Sequence, residues 1–314
     1  MVNMSTDLCE RLLAGDILVA DGATGTLLMA AGLPSGAPPE VWNIERPEQI
    51  LALHDAYLDA GSQIILTNSF GGSRVKLGVM GYGDRAPEFN RAAATLACRA
   101  AAGRAYVAGD IGPTGALMAP LGKLTFAEAV EAFSEQAGAL AEGGVDLLWI
   151  ETMMDLEEAR AAVAGAREAT DRPIFCSLSF GPRGRTMMGI KASQAAEELW
   201  PMGLAAIGAN CGDGIDVIEP ALRQMRQVLP DAPLIAKPNA GMPRLVGDQT
   251  VYDMEPSAFG GHVSEFIALG ARVVGSCCGS NPAHIAATAA AVRKAMAGRP
   301  SDIPPAGPAE TDDR

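Results

Sequence analysis

The chain is poor in the residues that several common functions need. Only three of its 314 residues are histidine and 5% are aromatic, which leaves little for an aromatic cage around a cation. Six cysteines are too few for a disulfide scaffold in a chain of this length, so they are read as thiols of a reducing compartment, open to metal. No apolar run approaches the roughly 20 residues that a bilayer crossing requires. The N-terminus, MVNMSTDLCERLLAGD, carries acids where a secretory signal carries bases and an apolar stretch. A cytoplasmic protein without a membrane span is expected. Positive charge is scarce too: the net charge is −13 and no lysine or arginine run occurs, so no nucleic-acid partner is expected.

What is present suits one large globular unit. Hydrophobic residues make up 48% of the chain and charged residues 19%, enough apolar material for a sizeable core. Short β-rich runs alternate with Ala-rich, helically patterned stretches. The strands fall at residues 17–21, 63–68, 105–110, 146–151, 173–179, 205–211, 233–239 and 272–278. Helices are expected between them, among them Pro47–Ala60, Phe126–Glu142, Leu156–Ala169 and Pro282–Ala297. Strands that are apolar nearly throughout belong to buried parallel sheets. Eight βα units of this kind predict an α/β fold, the (β/α)8 TIM barrel, over residues 1–298. The Pro-rich, acidic segment 299–314 is expected to be disordered. The stretches 34–39 and 242–254 read as long loops after strands one and seven, able to cover the barrel mouth. No feature of the sequence fixes an oligomeric state.

Polar residues gather at the strand ends: Asp21, Thr67, Asn68, Asp110, Glu151, Ser177, Ser179, Asn210 and Asn239. In a barrel these converge on the mouth, although Asp, Asn and Ser also cap helices and satisfy turns. Cys211, in AAIGANCGDG, and Cys277 and Cys278, in ARVVGSCCGS, end apolar runs flanked by glycine. Three thiolates from two strand ends can hold one Zn²⁺ with its fourth position free, as catalytic zinc is held. Adjacent residues on a regular strand face opposite ways, so the strand is expected to end at or between Cys277 and Cys278. Gly275 and Gly279 would then supply the turn. Cys9, Cys98 and Cys176 read as packing residues, and His54, His262 and His284 lie away from the strand ends. Lys237, at the end of strand seven, could instead form a Schiff base in an aldolase-like barrel.

The stretches DGATGT (21–26), ILTNSFGGSR (65–74), GDIGPTG (109–115), IET (150–152), GANCGDG (208–214), KPNAGMP (237–243) and GSCCGSNPAHI (275–285) resemble, in order, the homocysteine S-methyltransferases. The similarity is greatest to the homocysteine-binding barrel of cobalamin-dependent methionine synthases. It covers about residues 15 to 297, with Ser276 and Ser280 as small departures from the family's GGCCGT. The resemblance implies that Cys211, Cys277 and Cys278 bind zinc and that the homocysteine sulfur takes the fourth position. It makes Asp21 and Glu151 partners of the ammonium. Backbone N–H groups around Gly22, Ala23 and Thr67 would receive the carboxylate. Asn210 and Asn239 join the substrate contacts by orienting the surrounding loops. The methyl donor is expected to be a methylated corrinoid on a separate protein. Betaine, S-methylmethionine or S-adenosylmethionine are the small-molecule alternatives. Betaine enzymes carry a tyrosine where Thr152 stands, and the nearest cage candidates are Trp42, Phe70, Tyr82 and Trp149. A non-catalytic zinc- or thiol-binding partner subunit is the reading of another class.

Overall fold

The computed structural model describes residues 4–34, 36–246 and 249–297. The tail expected at 299–314 lies outside the described residues. Among the described residues ten strands occur: β1 (Leu18–Val19), β2 (Ile64–Leu66), β3 (Tyr106–Ile111), β4 (Leu147–Met153), β5 (Ile174–Leu178), β6 (Ala206–Cys211), β7 (Leu234–Pro238), β8 (Arg244–Val246), β9 (Gln249–Val251) and β10 (Ala271–Val274). Eight of them form one parallel sheet in the order β1, β10, β7, β6, β5, β4, β3, β2. The ends meet at an Ala20–Ile64 bridge, with Asp21 N–H donating to Ile64 O at 3.0 Å and Gln63 N–H to Val19 O at 2.7 Å. Helices follow the strands, so this is the expected (β/α)8 barrel. The segment expected as a plain loop at 242–254 instead contains the antiparallel pair β8 and β9.

Helix signals act where the sequence puts them. Thr125 and Glu128 form a capping box that starts the helix Phe126–Glu142, and the Asp155 side chain accepts from Glu157 N–H to start Leu156–Ala169. The strand-end acids Asp21, Asp110 and Glu151 cap no helix among the described residues, so the mouth is their setting.

The strands' period of two divides the core. One set of side chains, including Ile65, Val107, Leu148, Ile174 and Ala236, packs under the helices. The alternate set fills the barrel interior: Leu18, Ala20, Ile64, Leu66, Tyr106, Ala108, Leu147, Trp149, Phe175, Ala206, Ile235 and Val273. A helix that the strand count did not anticipate, Met4–Leu13, adds Leu8 and Leu12 to this interior cluster. Arg11 fastens it, with Nε 2.8 Å from Asp16 Oδ2 and Nη1 3.4 Å from the Tyr106 hydroxyl.

Candidate active site

Continuing the inward parity from Ala108, Trp149 and Ile235 places Asp110, Glu151 and Lys237 in the next layer up. All three line a cavity of ≈ 440 Å³ at the C-terminal mouth. Trp149 lies beneath this layer: its indole N–H donates to Ser177 Oγ at 3.1 Å, and its face lies 5.1 Å under the Lys237 ammonium. Lys237 Nζ stands 3.0 Å from Glu151 Oε2 and 3.8 Å from Asp21 Oδ1. Asp21 is anchored from the other side by Leu66 N–H, which donates to Oδ2 at 2.7 Å. Burial pushes the Asp21 carboxyl up to about 7, against the pull of Lys237. Burial alone would lower the lysine, but the Glu151 and Asp21 carboxylates more than reverse this, so it stays protonated. These ion pairs engage Lys237 as counter-charge to the acids, a different role from the Schiff-base lysine of an aldolase.

The three cysteines meet at one side of the same cavity, their sulfurs within 4.8 Å of one another. Among the described residues this is the only such cluster of metal-ligating groups. That spacing suits three thiolates gathered around one metal ion. Without a cation the thiols hydrogen-bond one another. For Cys211 and Cys278 one such bond lowers and another raises the thiol, and with burial the result is a push up to about 12; the bond with Cys211 and burial carry Cys277 well above the ordinary thiol range. A bound cation is what would make them thiolates. None of the histidines joins them: the His284 ring bridges Met254 O and Asn281, and His54 is buried in the helix Pro47–Asp59.

The local backbone explains how adjacent cysteines converge. The last strand ends at Val274, earlier than the sequence pattern predicts, and the chain to Cys278 runs irregularly. Ser276 N–H donates to Asp21 O, Cys277 N–H to Pro238 O, and Ala240 N–H to Cys278 O. Gly275 serves by closeness of approach, since a Cβ there would stand 2.9 Å from both Ala20 Cβ and Asp21 O. Gly279 has the left-handed φ of +78° that the turn needs. Cys211 and Thr152 also have positive φ, +57° and +61°, costly for non-glycine residues and worst for a β-branched one. Asn210 compensates: its Oδ1 accepts from Thr152 N–H at 2.8 Å and its Nδ2 donates to Thr152 Oγ1 at 2.6 Å. Asn239 Nδ2 donates to Gly212 O at 2.7 Å, pinning the residue after Cys211. Neither asparagine lines the cavity. Both hold the frame around the cysteines.

The expected backbone nest is largely engaged. Ala23 N–H donates to Ser280 Oγ at 3.0 Å and Thr67 N–H to Ala108 O at 2.9 Å, so neither is available to a carboxylate. Among the described residues only the Gly22 N–H of the three has no partner. Gly22 itself admits no side chain, because a Cβ would lie 2.5 Å from Ser280 Oγ and 2.8 Å from the Tyr57 hydroxyl. Thr67 contributes its side chain to the wall instead, its Oγ1 2.6 Å from Ser69 Oγ and accepting from Asp110 N–H at 2.9 Å. The outer wall includes Ala37, Pro38 and Pro39 from the first long loop, with Met29, Met80, Glu40 and Lys76. Of the four cage candidates only Phe70 lines the cavity, and the Lys76 ammonium already lies 5.4 Å from its ring. Trp42 is in the core, under the Arg46 guanidinium. Two participants were missed at the sequence level. Asp110 appeared only as one more strand-end polar residue, and Tyr252, directly after β9, packs on Gly279 and hydrogen-bonds Cys278.

The family model for homocysteine S-methyltransferases matches residues 18–292. The chain belongs to the homocysteine S-methyltransferase family. Within that family it is 32% identical over 305 residues to methionine synthase of Mycobacterium tuberculosis and 31% identical over 307 residues to that of Mycobacterium leprae. These alignments cover 91% and 92% of the chain but 25% of each relative, so the chain spans about a quarter of their length. Among solved structures it superimposes on the homocysteine methyltransferase MmuM of Escherichia coli in its oxidized form with a TM-score of 0.72 and 25% identity. That match covers 90% of this chain and 98% of MmuM. The metallated form of MmuM gives the same TM-score. The cysteine trio is thus a metal-capable centre in a homocysteine S-methyltransferase barrel.

Proposed function

We propose that this protein is a zinc-dependent homocysteine S-methyltransferase that forms methionine, with its methyl group delivered by a methylated corrinoid on a separate protein. The observation that carries the reading is the convergence of Cys211, Cys277 and Cys278 on a cavity whose floor is a buried acid–lysine layer. A zinc ion bound by the three cysteines supplies the positive charge that keeps them, and an incoming homocysteine thiol, deprotonated at neutral pH.

The residues of the chain do the rest. Glu151, with Asp21 beneath it, offers negative charge to the homocysteine ammonium, and Lys237 keeps that layer from excess repulsion. The Gly22 N–H faces the carboxylate end. Asn210 and Asn239 hold the cysteine loops in place. The homocysteine thiolate then attacks the methyl carbon: a C–S bond forms as the bond from methyl to donor breaks, its electron pair leaving with the donor. No protein base takes part, because the proton has left the sulfur beforehand. A corrinoid donor is favoured by the mycobacterial relatives, which are methionine synthases, and by a cavity wall with one aromatic side chain, too few to cage a quaternary ammonium.

The test is zinc content per chain with a homocysteine titration followed at the zinc K-edge, then turnover with methylcobalamin, betaine and S-methylmethionine. About one zinc per chain whose shell gains a sulfur, with turnover on methylcobalamin, is expected. Turnover on betaine alone would replace the donor, and zinc that binds homocysteine without turnover on any donor would indicate a binding subunit. Absence of zinc would overturn the reading.

A further inference from the structure

Resting on the homocysteine reading of the site, we infer that Asp110 is a direct partner of the substrate ammonium and sets the preference for thiols that carry one. Asp110 is only 6% exposed and lines the cavity; among the described residues it has no cation within ion-pair distance and its Oδ1 has no hydrogen-bond partner. The other members of the layer are already committed. Lys237 is taken by Glu151 and Asp21, and Asp21 Oδ2 by Leu66 N–H. The one lysine is paired with Glu151 and Asp21, and the third carboxylate, Asp110, lines the cavity with no ion pair.

The carboxylate is held ready. Asp110 N–H donates to Thr67 Oγ1 at 2.9 Å, and its carbonyl accepts from Ser69 Oγ at 2.8 Å. Both bonds fix the backbone and leave the side chain free of protein partners. A buried carboxyl with no cation beside it resists ionisation until a charge arrives to match it. The ionisable groups around it are Glu151 on β4, Lys237 on β7, Asp21 after β1 and Glu40 in the first loop. Only one of these is a cation, and burial with Glu151 alongside holds the Asp110 carboxyl well above its ordinary range. A ligand ammonium supplies the missing charge. The ligand class is therefore an α-amino thiol, with sulfur toward the cysteines and ammonium toward Asp110.

The experiment is calorimetric titration of the zinc-loaded protein with homocysteine and with 4-mercaptobutanoate, which lacks the ammonium, for wild type and Asp110→Asn, alongside thermal unfolding. Asp110→Asn is expected to weaken homocysteine by about 10- to 100-fold, as loss of a charged hydrogen bond does. It should leave 4-mercaptobutanoate within about twofold and Tm equal or higher, since a neutral amide replaces a buried acid that has no partner. No loss for homocysteine, or equal loss for both thiols, overturns the inference. Should Asp110→Asn fail to fold, Asp110→Glu keeps the charge one methylene further out, and a selective loss for homocysteine supports the assignment where equal affinities overturn it. Wild type that binds both thiols equally well defeats the ammonium contact alone. Wild type that binds neither defeats the functional reading beneath it.

Discussion

Along β4 the barrel interior changes character within two residues. Trp149 closes a layer of apolar side chains, and Glu151 opens a layer of buried charge. The lower half is sealed by Leu8 and Leu12 and contains no ionisable group in its core cluster apart from the Tyr106 phenol. The upper half holds Asp21, Asp110, Glu151, Lys237, three thiols and two non-glycine residues with left-handed backbone. The same strands and the same alternation build both. What differs is the sign of each layer's contribution to stability: apolar burial below is favourable, while desolvated charge and strained backbone above are unfavourable. The lower half stabilises a frame in which the upper half can keep groups that serve a ligand.

That contrast can be broken from either end. The largest effect is expected at the cysteines. Cys277→Ala should abolish metal retention and methyl transfer together, while thermal unfolding of the metal-free proteins differs little; full activity in a metal-free Cys277→Ala protein would contradict the site. Next comes Lys237→Met, which leaves Glu151 and Asp21 without their cation and should destabilise the protein by about 4 kcal/mol in chemical unfolding. A variant as stable as wild type would mean that the layer is better hydrated than its burial implies.

Asp21 gives a pH signature with a defined sign. Its carboxyl rises from an ordinary 3.8 to about 7 in the fold, so the native state binds its proton more tightly than the unfolded chain does. Stability from this group is fully present below about pH 4 and is lost as pH rises through about 7, by up to about 4 kcal/mol. Asp21→Asn should remove that decline from a series of urea unfolding curves, whereas parallel slopes in the two proteins would disprove the shift. At the lower end, Leu8→Ala should destabilise by about 3 kcal/mol through the cavity it leaves, with homocysteine affinity unchanged. A matching loss of affinity would show that the two halves are coupled.

The sequence pattern located all eight barrel strands, and the helices Phe126–Glu142, Leu156–Ala169 and Pro282–Ala297 have the ends it predicts. Local signals carry these: apolar runs, the Thr125–Glu128 box, Asp155 and Pro282. The helix Met4–Leu13 was not legible because it belongs to no βα unit and acquires its role only by closing the barrel. The cysteine trio was legible from its positions at strand ends. The roles of Ala23 and Thr67 were not, because whether a backbone N–H is free depends on Ser280 and Ala108, which lie far away in sequence or on the next strand.

By itself the sequence determined the barrel, the gathering of polar residues at its strand ends, and the presence of a thiol trio at two of those ends. Periodicity and residue chemistry are local properties, and they survive without a structure. Only the tertiary structure decided which carboxylate Lys237 neutralises and which it leaves alone, which N–H groups remain for a ligand, and how two adjacent cysteines turn to one side. Those outcomes depend on distances of 3 to 4 Å between segments as much as 257 residues apart, and such distances exist only once the barrel has closed.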